Sequence, residues 1–106
     1  MKKIRLADLA YARSGDKGIH ANIGVIAYTE KGYRLLEKIL DEKSVAKHFE
    51  HLHLTSVKRY LLPNLWAMNF ILEGALEGGG SRSLRVDAQG KALGQALLLM
   101  PIEVKE

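Results

Sequence analysis

Arg13-Ser14-Gly15-Asp16-Lys17-Gly18, followed closely by Ala21-Asn22-Ile23-Gly24-Val25, is the stretch on which the fold turns. Its first six residues hold two glycines, two cations and one carboxylate, between apolar flanks at 4–12 and 21–28. A hairpin turn needs only Gly, Asn or Asp. Arg13, Asp16 and Lys17 therefore call for a reason of their own, either a pinned loop or a binding site. The flanks read as two strands, 3–12 and 20–28, joined by that loop as an antiparallel hairpin.

Both strands are apolar on both sides. In the first, Ile4, Leu6, Ala10 and Ala12 share one face and Ala7, Leu9 and Tyr11 the other; in the second, Ala21, Ile23, Val25 and Ala27 oppose Ile26 and Tyr28. A two-layer domain with one solvated sheet face shows cleaner alternation. The second face is thus expected to be covered, at least in part, by another subunit or a partner protein.

Further along, Tyr33, Leu35, Leu36, Ile39 and Leu40 approach helical spacing and predict a helix over 30–40. A second helix is expected over 44–52, with Ser44 as its cap, and a strand over 54–61. Pro63-Asn64 then reads as the end of that strand and the cap of a third helix, 65–77, stopped by Gly78-Gly79-Gly80. An extended piece over 83–86 leads to Asp87, a cap for a short helix over 88–96. The last strand is expected over 97–104, at an edge because of Pro101. Four strands with helices gathered on one face make an α+β, ferredoxin-like two-layer sandwich with a mainly antiparallel sheet.

At 106 residues, with 47% apolar and 26% charged residues, the chain is expected to be a single soluble domain, 1–106. The absence of cysteine excludes disulfides and thiolate zinc sites, and fits a cytoplasmic setting. The longest apolar run, 96–102, is far short of a membrane span, so no membrane partner is expected. The net charge of +4 permits an acidic ligand. Its cations are scattered along the chain, which disfavours nucleic acid.

The opening motif continues in Arg59-Tyr60, Pro63-Asn64-Leu65, Asn69-Phe70, Gly78-Gly79-Gly80, Ser83-Leu84-Arg85, Asp87 and Gly90-Lys91. This series, spread from Arg5 to Ile102, resembles the C-terminal ferredoxin-fold domain of the acyclic terpene utilisation (AtuA-like) family. Ile19 departs from it, standing where a polar residue is expected. The resemblance implies a small domain that commonly follows a much larger one and also occurs as a separate chain. It implies association with breakdown of terpenoid or other branched acyl compounds, but no catalytic mechanism. Any activity of the large domain is expected to lie outside these 106 residues.

Several constellations bear on chemistry. In the loop, Gly15 and Gly18 would let backbone N–H groups converge on an anion, with Arg13 and Lys17 supplying charge. Alternatively, Asp16 pairs with Arg13 and merely fixes the hairpin. Asn22 within a strand and Asn69 within a helix are locally disfavoured and mark either a polar pocket or satisfied backbone groups. Asn64 reads as a cap. Arg85 beyond the triple glycine offers a bidentate donor or pins a turn with Asp87, and the spacing matches no nucleotide-binding fingerprint. The ligand-binding candidates are thus Arg13, Gly15, Asp16, Lys17, Gly18, Asn22, Asn69 and Arg85.

His48, His51 and His53 cluster without a firm ligand set, so no metal is expected, and no cofactor either. No catalytic residue is assigned, because no nucleophile–base pair has recognisable spacing. Tyr11, Tyr28, Trp66 and Phe70 are the candidate interface residues. Three functions compete. The first is a non-catalytic docking domain working with a large AtuA-like protein or as a homo-oligomer. The second is an acyl or carboxylate binder, or small enzyme, using the loop. The third is an RNA-binding sheet stacking bases on Tyr11, Tyr28 and Tyr60, though it lacks the RNP1 pattern.

Overall fold

Burial along His20–Ala27 alternates strictly. Ala21, Ile23, Val25 and Ala27 are buried and the residues between them half-buried, as in a strand packed tightly on one face. The computed structural model describes residues 2–17, 20–74 and 88–104, with backbone only at 16, 17 and 88–92. In chain order they form β1 (Lys2–Arg5), β2 (Ala10–Lys17), β3 (His20–Ala27), α1 (Glu30–Ile39) and α2 (Glu42–His48). Next come β4 (Ser56–Leu62), β5 (Ala67–Glu73), α3 (Ala88–Leu98) and β6 (Pro101–Val104).

Strands β2, β3, β5 and β4 lie side by side in that order as an antiparallel sheet, while β1 and β6 pair as a separate antiparallel ribbon. Helices and ribbon pack together on one face of the sheet, around a core that includes Leu6, Ile23, Leu36, Phe49, Phe70 and Leu97. The fold is the expected α+β ferredoxin-like sandwich.

Local chemistry explains the helices. Thr29 Oγ1 accepts from Gly32 N–H at 3.0 Å and starts α1, whose Tyr33 and Leu36 face the core while Glu30 and Arg34 pair in solvent at 2.9 Å. Its last turn is closed from a distance: the Arg59 guanidinium donates to the carbonyls of Glu37 and Leu40 at 3.0 and 2.9 Å. A cation there also opposes the negative end of the helix dipole. Helix α2 begins earlier than expected. Asp41 is its cap, accepting from Ser44 N–H at 2.8 Å, and Ser44 Oγ in turn accepts from Asp41 N–H at 3.1 Å. Helix α3 presses hard on β2. A Cβ on Gly94 would stand 2.8 Å from Ser14 Oγ, which instead accepts from Gly94 N–H at 3.2 Å.

Four expectations are corrected. The first strand, 3–12, is two strands: Leu6–Asp8 forms a 3-10 turn, with Asp8 Oδ2 accepting from Arg5 N–H at 2.9 Å, and sends β1 off to pair with β6. The charged stretch beginning at Arg13 is not a loop, since β2 runs through Lys17 and pairs with β3 as far as Lys17↔His20. Within its described part, the stretch expected as a helix over 65–77 is not helical: Pro63–Leu65 is a 3-10 turn and 67–73 is the strand β5. Ala67 and Ile71 add apolar residues at the parity opposite Met68, Phe70 and Leu72, and such a run is not distinguished from a helix by periodicity alone. Finally, β6 starts only at Pro101, α3 having continued to Leu98. The expected features at 78–80 and 83–87, including Arg85, lie outside the described residues, as does Gly18.

Candidate functional site

The sheet face turned away from the helices gathers most of the motif residues. Register places them in rows across β2, β3, β5 and β4. The first is Tyr11, Ile26, Ala67, Leu62; the second Arg13, Gly24, Asn69, Tyr60; the third Gly15, Asn22, Ile71, Lys58. Arg13, Gly15, Asn22 and Asn69, chosen as separate oddities in the sequence, therefore share one face. For Lys17 and Asp16 the backbone register gives His20 and Ala21 as partners.

The face is graded. At one end Tyr11 and Tyr28 pack with ring centroids 5.7 Å apart, both exposed, and Leu62 lies exposed in the same row as Tyr11. Leu65, 66% exposed, and Trp66, 41% exposed, form the rim of that end. Trp66 also lines, with Tyr33 and Pro63, a depression of about 270 Å³ against α1. Its backbone is left-handed, φ 52°, yet its carbonyl accepts from Ala27 N–H at 2.8 Å. A left-handed non-glycine residue costs about 1–2 kcal/mol. Phe70, grouped with the interface residues from the sequence, is fully buried on the helix side and belongs to the core.

The middle rows are polar and thinly covered. Among the described residues, a Cβ at Gly15 would meet nothing within 4 Å and one at Gly24 only Arg13 O and Asn69 Oδ1, each at 3.8 Å. The Arg13 side chain forms no ion pair or hydrogen bond among the described residues. Asn22 Oδ1 is buried with no hydrogen-bond partner there. At the far end Lys58 Nζ sits 3.7 Å from Glu73 Oε2. The Ser56 hydroxyl, donating to Glu73, holds that carboxyl below its ordinary range, with Lys58 and His20 acting in the same direction. His20 Nδ1 in turn accepts from Gly74 N–H at 3.0 Å.

The histidine group has no shared centre. His48 Nε2 donates to the Ala96 carbonyl at 2.8 Å, while His51 and His53 are exposed. Among the described residues no three His, Asp or Glu side chains are grouped to hold a metal ion, and no helix is long and apolar enough to cross a membrane. Gly24, Tyr60 and Leu62 were not singled out as one site from the sequence. Reading 56–62 and 67–73 both as strands would have aligned them.

An antiparallel four-stranded sheet backed by helices and left open on a graded, partly aromatic face defines a small ferredoxin-like α+β domain. The sequence model of the AtuA ferredoxin-like domain matches residues 4–103, and the chain belongs to that family. No curated protein and no solved structure matches it.

Proposed function

We propose that this domain docks, through the aromatic end of its sheet, onto the large domain of an AtuA-like protein carried on a separate chain. In this reading it serves as a non-catalytic accessory to breakdown of terpenoid or other branched acyl compounds. The observation that carries the reading is the joint exposure of Tyr11, Tyr28, Leu62, Leu65 and Trp66 at one end of the sheet. Exposed aromatic side chains, here Tyr11 and Tyr28 packed together, are what interface centres favour, because they bury much area for little lost side-chain freedom. The left-handed Trp66 supports it, since such strain persists where surrounding structure over-determines it and clusters at functional positions. The choice of partner follows from the family, whose small domain commonly accompanies a much larger one.

The test is co-elution, with light scattering, of the purified domain and a large AtuA-like chain encoded beside it. Wild type should form a stoichiometric complex. Tyr28→Glu should not, while keeping its circular dichroism spectrum. Failure of wild type to co-elute removes the large domain as partner. A homodimer of the isolated domain that Tyr28→Glu dissolves would reassign the surface to a second copy of this chain.

A further inference from the structure

Next to the aromatic end, four residues on β2 and β3 form a square on the open face. Arg13 opposes Gly24 and Gly15 opposes Asn22, so Arg13 and Asn22 occupy one diagonal and the two glycines the other. Neither glycine places a side chain between these two positions, and among the described residues a Cβ at Gly15 would meet nothing within 4 Å. Diagonal neighbours on adjacent strands lie about 7–8 Å apart, a gap that a small molecule spans. Asn69, whose Oδ1 approaches Gly24, and Tyr60 bound the square on the β5 and β4 side.

The two diagonal groups specify different halves of a ligand. Arg13, without an ion-pair partner among the described residues, calls for an anion, and its planar fork suits a carboxylate held by two parallel hydrogen bonds. Asn22 Oδ1 is a buried acceptor with no partner among the same residues, so it calls for a donor. Lys58 is engaged by Glu73, which leaves Arg13 as the cation of the square among the described side chains. A plain carboxylate answers Arg13 and leaves Asn22 unmet; a neutral alcohol or amide does the reverse.

We propose that the Arg13–Asn22 square binds a small carboxylate bearing an O–H or N–H donor on the carbon next to its carboxyl group, a 2-hydroxy or 2-amido acid. The carboxylate lies against the guanidinium over Gly24 and the donor points to Asn22 Oδ1. The site needs no docked protein, and its fate is separable from that of the aromatic end.

Lactate and propionate, which differ at carbon 2 by one hydroxyl, are the probes. Each is titrated into the ¹⁵N-labelled full chain at constant ionic strength, with amide shifts read by NMR. Lactate should give saturable shifts centred on Gly15, Asn22 and Gly24, with an affinity at least about tenfold above propionate. Arg13→Gln should remove saturable binding of both acids. Asn22→Val should retain weak binding and bring lactate and propionate to equal affinity. Absence of saturable shifts at the square overturns the proposal, as does unchanged lactate affinity in Arg13→Gln or a lactate preference that survives Asn22→Val.

Discussion

Replacing Asn22 by Val should make the protein more stable. In the folded chain Asn22 Oδ1 is out of water and has no partner among the described residues. The unfolded chain hydrates it, so folding carries the desolvation cost of that acceptor, about 1–3 kcal/mol. Val removes the cost and adds a β-branched side chain in mid-strand, a preference worth up to about 1 kcal/mol. Space is not limiting, since the neighbouring corner at Gly15 is open. Allowing for imperfect packing, the variant should gain about 1–2 kcal/mol, which in a domain near this size raises Tm by about 4–8 °C per kcal/mol. Urea unfolding followed by fluorescence of Trp66, the one tryptophan of the sequence, measures it directly. The midpoint should rise with the slope unchanged. A fall in the midpoint would refute the reasoning, because it would mean that the amide is well satisfied in the unliganded protein.

Three further expectations concern the frame around the site. Arg59→Gln removes the charged donor that closes α1 at Glu37 and Leu40 and should cost about 1–3 kcal/mol by urea denaturation. Gly94→Val drives a side chain into Ser14 and should cost about 1–3 kcal/mol, with amide shifts of β2 disturbed. Asp41→Ala should cost about 1 kcal/mol at neutral pH through loss of the α2 cap. The Ser44 N–H holds the Asp41 carboxyl below its ordinary range. Its contribution is therefore fully present above the unfolded-state value near pH 4 and is lost as pH falls through the lowered native value. The gap between wild type and Asp41→Ala in acid titration of stability should close accordingly.

Elements whose pattern has one meaning were readable in advance. α1 follows from the spacing of Tyr33, Leu35, Leu36, Ile39 and Leu40, and β3 from the apolar run between Ala21 and Tyr28. β5 was not readable as a strand, because Ala67 and Ile71 add apolar residues at the parity opposite Met68, Phe70 and Leu72, and Pro63-Asn64 imitates a helix start. The break after Arg5 is signalled only by Asp8, a residue common at ordinary strand ends. For the site, residue type pointed to Arg13, Asn22 and Asn69, but their common face depends on register. Register in turn depends on β5 lying between β3 and β4, a long-range pairing that no local stretch encodes. The role of Arg59 as a distant cap of α1 left no mark in the sequence around it.

The β1–β6 ribbon joins Lys2 to Val104 and Arg5 to Pro101, the two extremities of the described chain. Closing so long a loop carries the largest chain-entropy cost of any pairing in the molecule, and topologically remote contacts of this kind tend to form late. The ribbon then acts as a kinetic latch. Loosening it, for instance by Ile102→Ala, should leave the refolding rate almost unchanged while accelerating unfolding. How long the sheet face persists in its assembled form is thereby governed by the pairing of Lys2–Arg5 with Pro101–Val104.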